Sequence, residues 1–205
     1  HANEAYDELS EREKEICESI FKTLTEKGSD GRGIRHPSSI KLISDIAQCE
    51  PSEAIGVVER FRIPGRSFLN PSIETEIDNN TIIDISHESL MRVWDRLILW
   101  VDEEVEAVQL YLRLSEAAEL YQKGQGSLWR PPDLQLALNW KEKKKPTLTW
   151  AQRYDPAFER AMVFLETSRE TYELEEENKI KQQKRSLRRA RVFSIVLGAA
   201  AVIAL

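Results

Sequence analysis

Apolar side chains recur along one stretch of this chain with a period of about 3.6 residues, which is the period of an α-helix. The positions that share it are Leu90, Val93, Trp94, Leu97, Val101, Val105, Val108, Leu112, Ala117 and Ala118. They predict one long amphipathic helix that is capped by Ser86, or two helices with a break near 102–104. Such a helix must bury its apolar stripe against other elements, so the pattern predicts a mainly α fold.

The residues before this helix combine helical patterns with short β-rich segments. The predicted elements are helices at 8–26, from Ser38 and at 52–61, strands at 68–69 and 81–85, and a short third strand at 34–36. Ser10 and Glu13 have the spacing of a capping box, which supports the start of the first helix. Three helices followed by two strands is the order of a winged helix-turn-helix domain with a small β-wing, which we assign to residues 1–86.

The chain returns to helical patterns after Gly124-Gln125-Gly126, where the long helix is predicted to end. These patterns lie at 131–140, at 149–154 and from Asp155 onwards. Together with the long helix, they predict a helical domain over residues 87–170.

The last part of the chain is organised by charge. Residues 171–191 are polar on all sides and change from acidic to basic, which predicts a solvated helical stalk. The uncharged run at 192–205 indicates the start of a transmembrane helix, because a basic cluster beside an apolar segment is typical of the cytoplasmic end of a span. We therefore expect residues 1–191 to be cytoplasmic and anchored to the cytoplasmic membrane.

The charge balance of the chain argues against nucleic acid as a partner. The chain has 29 basic and 35 acidic residues, a formal net charge of −6. Because nucleic-acid binding needs a basic field, we expect nucleic acid not to be a partner. The alternative is a membrane-anchored winged-helix transcription regulator, whose helix at 52–61 would enter the DNA major groove with Arg60, Arg62 and Arg66 at its end.

No catalytic motif is present. Gly28–Gly33 lacks the Lys-Ser/Thr pair and the preceding strand of a phosphate-binding loop. The three histidines have no plausible metal-ligand partners, and Cys17 and Cys49 belong to no CxxC pair. We therefore expect this chain not to be an enzyme by itself and not to hold a metal. A scaffold that joins a cytosolic domain to the membrane, with no nucleotide role, is a third interpretation.

His87 and Glu88 follow the predicted cap Ser86, so they are expected in the first turn of the long helix. The unpaired N–H groups of that turn favour an anion. A histidine at a helix start is also a common local cap or domain-contact residue. The residues alone leave both interpretations of His87 open.

The segment from Ile85 to Leu97, ISHESLMRVWDRL, resembles the HEALLREWPRL segment of bacterial novel STAND proteins, which are signal-transduction ATPases with numerous domains. Three further segments resemble that family. Leu9–Thr25 resembles the helix after its ATPase core, and Glu59-Arg60-Phe61 resembles its ERF motif. Phe164–Arg169 resembles its FL-x-x-SR helix. The basic run followed by the apolar run resembles the juxtamembrane anchor of its membrane-bound members.

The resemblance implies that this chain is the C-terminal winged-helix, helical and juxtamembrane region of such an NTPase. It implies an upstream ATPase domain in cis, which would bind most of the ADP or ATP. In related STAND proteins, the histidine of a Met-His-Asp motif contacts the β-phosphate of ADP, and His87 holds that position with Ser86 and Glu88 as its neighbours. Arg92 is a second candidate for nucleotide contact. Sensor repeats after the anchor, and a homo-oligomer assembled when ATP replaces ADP, are further implied partners.

Overall fold

The structure is a computed structural model that describes residues 1–27 and 33–203, with side chains up to Phe193. Most of the glycine-rich segment 28–33 therefore lies outside the described residues. The described elements are α1 (Ala2–Asp7), α2 (Glu11–Thr23), β1 (Thr25–Lys27), β2 (Gly33–Arg35), β3 (Ser38–Ser39), α3 (Ile40–Ala47), α4 (Pro51–Arg60), β4 (Leu69–Asn70), β5 (Ile82–Ile85), α5 (Leu90–Val93), α6 (Asp95–Gln122), α7 (Asp133–Lys144), α8 (Leu148–Gln152) and α9 (Phe158–Ile203). Within these residues the chain is mainly helical, with nine helices and small antiparallel sheets.

The N-terminal part packs α2, α3 and α4 against one another beside a three-stranded sheet of order β3-β5-β4. Both pairings of the sheet are antiparallel, with Ser38 opposite Ile83 and Leu69 opposite Ile85. The predicted capping box at the start of α2 is confirmed, since Ser10 N–H donates to Glu13 Oε2 at 2.8 Å and the Ser10 hydroxyl caps Glu13 N–H. This cap fixes where α2 begins and which of its faces reaches the core.

The prediction that residues 34–36 form the third strand of this sheet is wrong. β2 pairs with β1 in a separate two-stranded sheet, with Glu26 opposite Ile34. Ser38 and Ser39 provide the third strand instead. Pro37 lies between β2 and β3. Because proline has no N–H to donate, the hydrogen bonds of a sheet cannot continue through it, and the two strands stay separate.

The prediction of one long helix from a cap at Ser86 is also wrong, as is the alternative break near 102–104. The short helix α5 ends at Val93. Trp94 follows it with an extended backbone (φ −95°, ψ 96°) that separates α5 from α6, and α6 is continuous through 102–104. Trp94 is buried, packs edge-on against Phe21 at 4.9 Å and donates its indole N–H to Asn3 Oδ1 at 2.7 Å. Burying the large Trp94 ring in this way outweighs the continuity of the helix.

Two clusters of buried side chains meet on α6. The first core comprises the buried apolar residues from Ala5 to Val101, and the second core comprises those from Ala107 to Leu165. In the second core, α6 packs against α9 and α7, with Tyr111 and Leu114 buried completely. The helix α6 therefore contributes buried side chains to both cores.

The predicted helices after residue 126 correspond to α7, α8 and α9. The Asp155 carboxylate accepts a 2.7 Å hydrogen bond from Ala157 N–H just before α9 begins. From Glu177 to Phe193 every residue of α9 is exposed. No helix in the described part of the chain has the length and apolar character that a membrane crossing requires, and the side chains of the predicted membrane segment after Phe193 lie outside the described residues.

Candidate functional site

The predicted site residue His87 lies in an exposed turn between β5 and α5. Leu90 N–H donates to the His87 carbonyl at 3.0 Å, and Met91 N–H donates to the Glu88 carbonyl at 3.1 Å. Ser86 does not cap a helix, because the next helix begins at Leu90 and is preceded by Ser89; the Ser86 hydroxyl instead donates to the Ser67 carbonyl at 2.6 Å. Since α5 has only four residues and α6 begins at Asp95, the expected anion site at the mouth of a long helix is not formed.

Charged side chains from three elements, β2, β5 and α5, surround this turn. Arg35, on β2, donates to Asp84 Oδ2 at 3.1 Å and to the Ile85 carbonyl at 3.2 Å, and its Nε lies 3.9 Å from Glu88 Oε1. Arg92 Nη2 lies 3.8 Å from Glu88 Oε2. The Glu88 carboxylate therefore lies between two guanidinium groups. We call these residues the His87 cluster: Arg35, Asp84, His87, Glu88 and Arg92.

The geometry of the His87 cluster bears on its role. The side chains of Arg92 and Glu88 are 70% and 59% exposed. Ion pairs with this exposure contribute little to stability, because water and salt screen them. The long separation between Arg92 and Glu88 leaves the Arg92 guanidinium able to turn toward an external anion, whereas Arg35 is also held by Asp84 and the Ile85 carbonyl. The pairing of Arg92 with Glu88 therefore contributes little to holding the fold together.

Of the two predicted site residues, Arg92 lies 3.8 Å from the Glu88 carboxylate, and His87 is the residue before Glu88 in the exposed turn. Arg35 was missed by sequence reasoning, because its contacts with Asp84 and Glu88 join residues that are far apart in the chain. The only local signal was its extended position before His36-Pro37, which indicates a strand but no partner.

Packing beneath the turn brings Arg35 into reach of Glu88. Leu90 and Met91 are buried, and a Cβ atom at Gly33 would lie 3.1 Å from Met91 Sδ. That distance is tighter than ordinary van der Waals contact, so β2 approaches α5 closely because residue 33 has no side chain. The glycine thus fixes the distance between the strand that carries Arg35 and the turn that carries His87.

The arginines that the DNA-binding alternative requires are engaged within the chain. Arg62 is buried and donates to the carbonyls of Pro71 and Thr75 at 2.7 Å each, and it also pairs with Glu59. Arg66 forms a two-pronged ion pair with Glu8. Two of the three arginines are therefore occupied, which weakens the case for phosphate binding by α4.

A groove of about 750 Å³ lies where α2 and α3 face the middle of α6 and the end of α7. On its wall, Lys22 contacts Glu18 and Glu103. Burial opposes the charged form of Lys22, but the hydrogen bonds to these two carboxylates outweigh it and raise the pKa of Lys22. On this wall Lys22, Glu18 and Glu103 therefore already pair with one another.

Beside the groove, the buried Glu104 carboxylate ties three elements together. Its Oε1 accepts from Trp150 Nε1 at 2.6 Å and from the Tyr154 hydroxyl at 3.2 Å, and its Oε2 pairs with Lys144. Burial, reinforced by the Glu104 charge, raises the pKa of Tyr154. We call these residues the Glu104 network: Glu104, Lys144, Trp150 and Tyr154. Sequence reasoning missed this network, because Glu104 is 40 to 50 residues away from its three partners in the chain.

Metal ligands and reactive thiols are the remaining chemical features. Within residues 1–27 and 33–203, no group of three or more His, Cys, Asp or Glu side chains could hold a metal ion. Cys17 is buried and Cys49 is half-buried, and both are free thiols. Burial raises the pKa of the Cys17 thiol, which disfavours the reactive thiolate.

Comparison with known proteins gives one family match. The family model described as Novel STAND NTPase 1 matches residues 1–127, which include the first core, the His87 cluster and all of α6. The match does not reach the predicted juxtamembrane region. No curated protein and no solved structure shows a significant match to the chain. Because the family model covers more than half of the sequence, the chain belongs to the novel STAND NTPase 1 family and is part of a STAND-type NTPase.

Proposed function

We propose that this chain is the regulatory switch segment of a STAND-type NTPase and stabilises the ADP-bound resting state of the parent protein. Family membership implies that the parent protein binds nucleotide. An upstream ATPase domain would make most of the contacts with ADP or ATP, and this chain would add contacts from outside that domain. The observation that carries the proposal is the exposed His87 cluster within the region that matches the family.

A winged-helix assignment for residues 1–86 is part of this proposal. It is supported by the packing of α2, α3 and α4 against one another and by the sheet β3-β5-β4 beside them. In this assignment the loop between β4 and β5 is the wing, and Arg62 stabilises its base through the carbonyls of Pro71 and Thr75. The His87 turn follows the last strand of the sheet, where a facing domain can reach it.

The chemistry of the His87 cluster suits a diphosphate. An imidazole can donate one hydrogen bond to a terminal phosphate oxygen, and the guanidinium groups of Arg35 and Arg92 provide positive charge on either side. Glu88 lies 3.9 Å from Arg35 and 3.8 Å from Arg92, and Asp84 also pairs with Arg35. A bound phosphate would compete with Glu88 for the two arginines.

The switch follows from a difference in contacts between two states. If the His87 cluster touches ADP only when the parent protein is closed, that contact favours the closed state by its own free energy. Exchange of ADP for ATP would remove the favourable contact, release this segment and permit a homo-oligomer to assemble. A ligand with equal contacts in both states would shift nothing.

Replacing His87 by alanine in the parent protein tests the proposal. A hydrogen bond to a charged group contributes about 1.5–3 kcal/mol, so we expect ADP to dissociate roughly 10- to 100-fold faster. Stopped-flow fluorescence of a labelled ADP measures the rate. The matched control is His1→Ala, which removes another exposed histidine at the start of α1. An unchanged ADP off-rate with an unchanged oligomer distribution would contradict the proposal.

We further propose that α9 links the regulatory segment to the cytoplasmic membrane, with residues 1–191 on the cytoplasmic side and sensor repeats as a further partner beyond the anchor. The supporting observations are the exposed helix that leaves the second core and the uncharged sequence that continues it. The orientation follows from the basic residues that precede the apolar run.

A further inference from the structure

The end of α9 carries positive charge without acidic residues. After Glu177 the sequence contains no aspartate or glutamate as far as Leu205. The basic residues in this stretch are Lys179, Lys181, Lys184, Arg185, Arg188, Arg189 and Arg191. Among the described residues, Lys179 pairs with Glu176 and Lys181 pairs with Glu177, which are the last carboxylates of the sequence.

Most of these bases share one side of the helix. At 100° per residue, the six from Lys181 to Arg191 lie within an arc of about 160°. We call them the basic face: Lys181, Lys184, Arg185, Arg188, Arg189 and Arg191. The opposite arc holds uncharged residues: Ile180, Gln182, Gln183, Ser186, Leu187 and Ala190. The whole segment is exposed, so the basic face is open to an external partner.

The basic face is unfavourable for an isolated helix. Lys184 and Arg188, like Arg185 and Arg189, are four residues apart, and like charges at this spacing repel each other. From Lys184 onwards, no described carboxylate forms an ion pair with these side chains. A partner that supplies several negative charges along one line would remove the repulsion.

The sequence that follows the basic face indicates which partner supplies those charges. Val192 and Phe193 are 61% and 68% exposed, and residues 194–205 carry no charge. Negative charge beside a hydrocarbon phase is the combination that a membrane of anionic lipids offers, whereas nucleic acid offers only the charge. We propose that the basic face binds the headgroups of anionic phospholipids, an inference that rests on the proposed membrane link.

Vesicle flotation with the full 205-residue chain tests this inference. The vesicles contain phosphatidylcholine alone or a mixture with phosphatidylglycerol. The variant neutralises five members of the basic face: Lys184→Gln, Arg185→Gln, Arg188→Gln, Arg189→Gln and Arg191→Gln. The control removes five positive charges elsewhere: Arg113→Gln, Lys123→Gln, Lys141→Gln, Lys143→Gln and Lys145→Gln. Far-UV circular dichroism checks that both variants keep their helices.

The expected result is a preference of the wild type for anionic vesicles of at least about a hundredfold, because each basic residue near such a surface adds to the attraction. The basic-face variant should lose most of that preference, while the control should keep it. Added salt should weaken the binding of the wild type.

Three results would overturn the inference, and they separate it from the membrane link. Equal binding of wild type and basic-face variant to both kinds of vesicle would leave the link intact but remove any role of the headgroup charge. Binding to neither kind of vesicle would defeat the link together with the inference. Displacement from anionic vesicles by equimolar RNA would assign the basic face to nucleic acid instead.

Discussion

The two cores that share α6 are built differently. In the first core, Phe21 lies at the centre of an aromatic group, with ring centroids 5.1 Å from Phe61 and 4.9 Å from Trp94. In the second core, Tyr111 lies 5.5 Å from the ring of Trp150, but the buried Glu104 network stands beside these rings. The first core is thus mainly apolar, whereas the second combines apolar packing with a buried carboxylate.

This difference predicts which kind of substitution destabilises each core. Apolar packing is not directional, so the first core should be damaged mainly by loss of volume. The Glu104 network depends on each donor being in place, because a buried polar group without its partner is costly. The second core should therefore respond to changes that keep shape but alter charge or hydrogen bonding.

The largest effect is expected when the centre of the first core is removed. Phe21 is fully buried, and Phe21→Ala should lower the free energy of unfolding by about 3–5 kcal/mol through lost burial and a residual cavity. Urea unfolding followed by tryptophan fluorescence measures it. The control is Leu99→Ala on an exposed part of α6, which should change stability by less than about 0.5 kcal/mol. A loss below about 1 kcal/mol for Phe21→Ala would break the comparison.

A change of charge at nearly constant shape sharpens the comparison for the second core. Glu104→Gln can keep acceptors for Trp150 and Tyr154 but loses the charged acceptor of Lys144, and we expect a loss of about 2 kcal/mol. The same urea unfolding experiment measures it. Glu106→Gln, two residues along α6 and exposed, is the matched control and should be nearly neutral. If both variants behave alike, the Glu104 network does not stabilise the second core.

The smallest of these effects depends on pH. Burial, followed by the charge of Asp155, raises the pKa of Tyr111 to about 12, while its hydroxyl donates to the Asp155 carbonyl at 2.6 Å. Tyr111→Phe should therefore cost about 1 kcal/mol at pH 8. Because the folded pKa lies above the ordinary value near 10, the stability from Tyr111 is complete below pH 10 and is lost as the pH rises toward 12.

Unfolding of wild type and Tyr111→Phe at several pH values measures this effect, and the gap in stability should shrink above pH 10. The exposed Tyr121 provides the control through Tyr121→Phe, whose gap should be small at every pH. A gap for Tyr111→Phe that stays constant from pH 8 to pH 11.5 would contradict the assigned burial effect.

Local signals in the sequence predicted much of the fold. The cap at Ser10 and the helical period of the C-terminal half were sufficient to locate α2, α7 and α9, because caps and periods depend on residues close in the chain. The break at Trp94 was not predictable in this way, since it results from packing against Phe21 on a distant helix. Tertiary packing decided the helix start that the pattern placed at Ser86.

The candidate site was likewise predictable only where the signal lies in neighbouring residues of the sequence. The likeness of the segment around His87 to the family identified His87 and Arg92 as candidates, and the structure places Arg92 3.8 Å from Glu88 and His87 in the exposed turn just before it. The likeness to the family could not identify Arg35, because the approach of β2 to α5 at Gly33 depends on a tertiary contact with Met91. The helix-end argument for anion binding failed for the same reason as the predicted cap.

The ADP dissociation rate of the parent protein carrying Glu88→Gln tests the central claim most directly. If Glu88 competes with a phosphate for Arg35 and Arg92, neutralising it should slow ADP release by about two- to fivefold, the range expected for exposed ion pairs. A merely damaged fold would not retain ADP longer. An equal or faster release than in the wild type would contradict the assignment of the His87 cluster to the bound nucleotide.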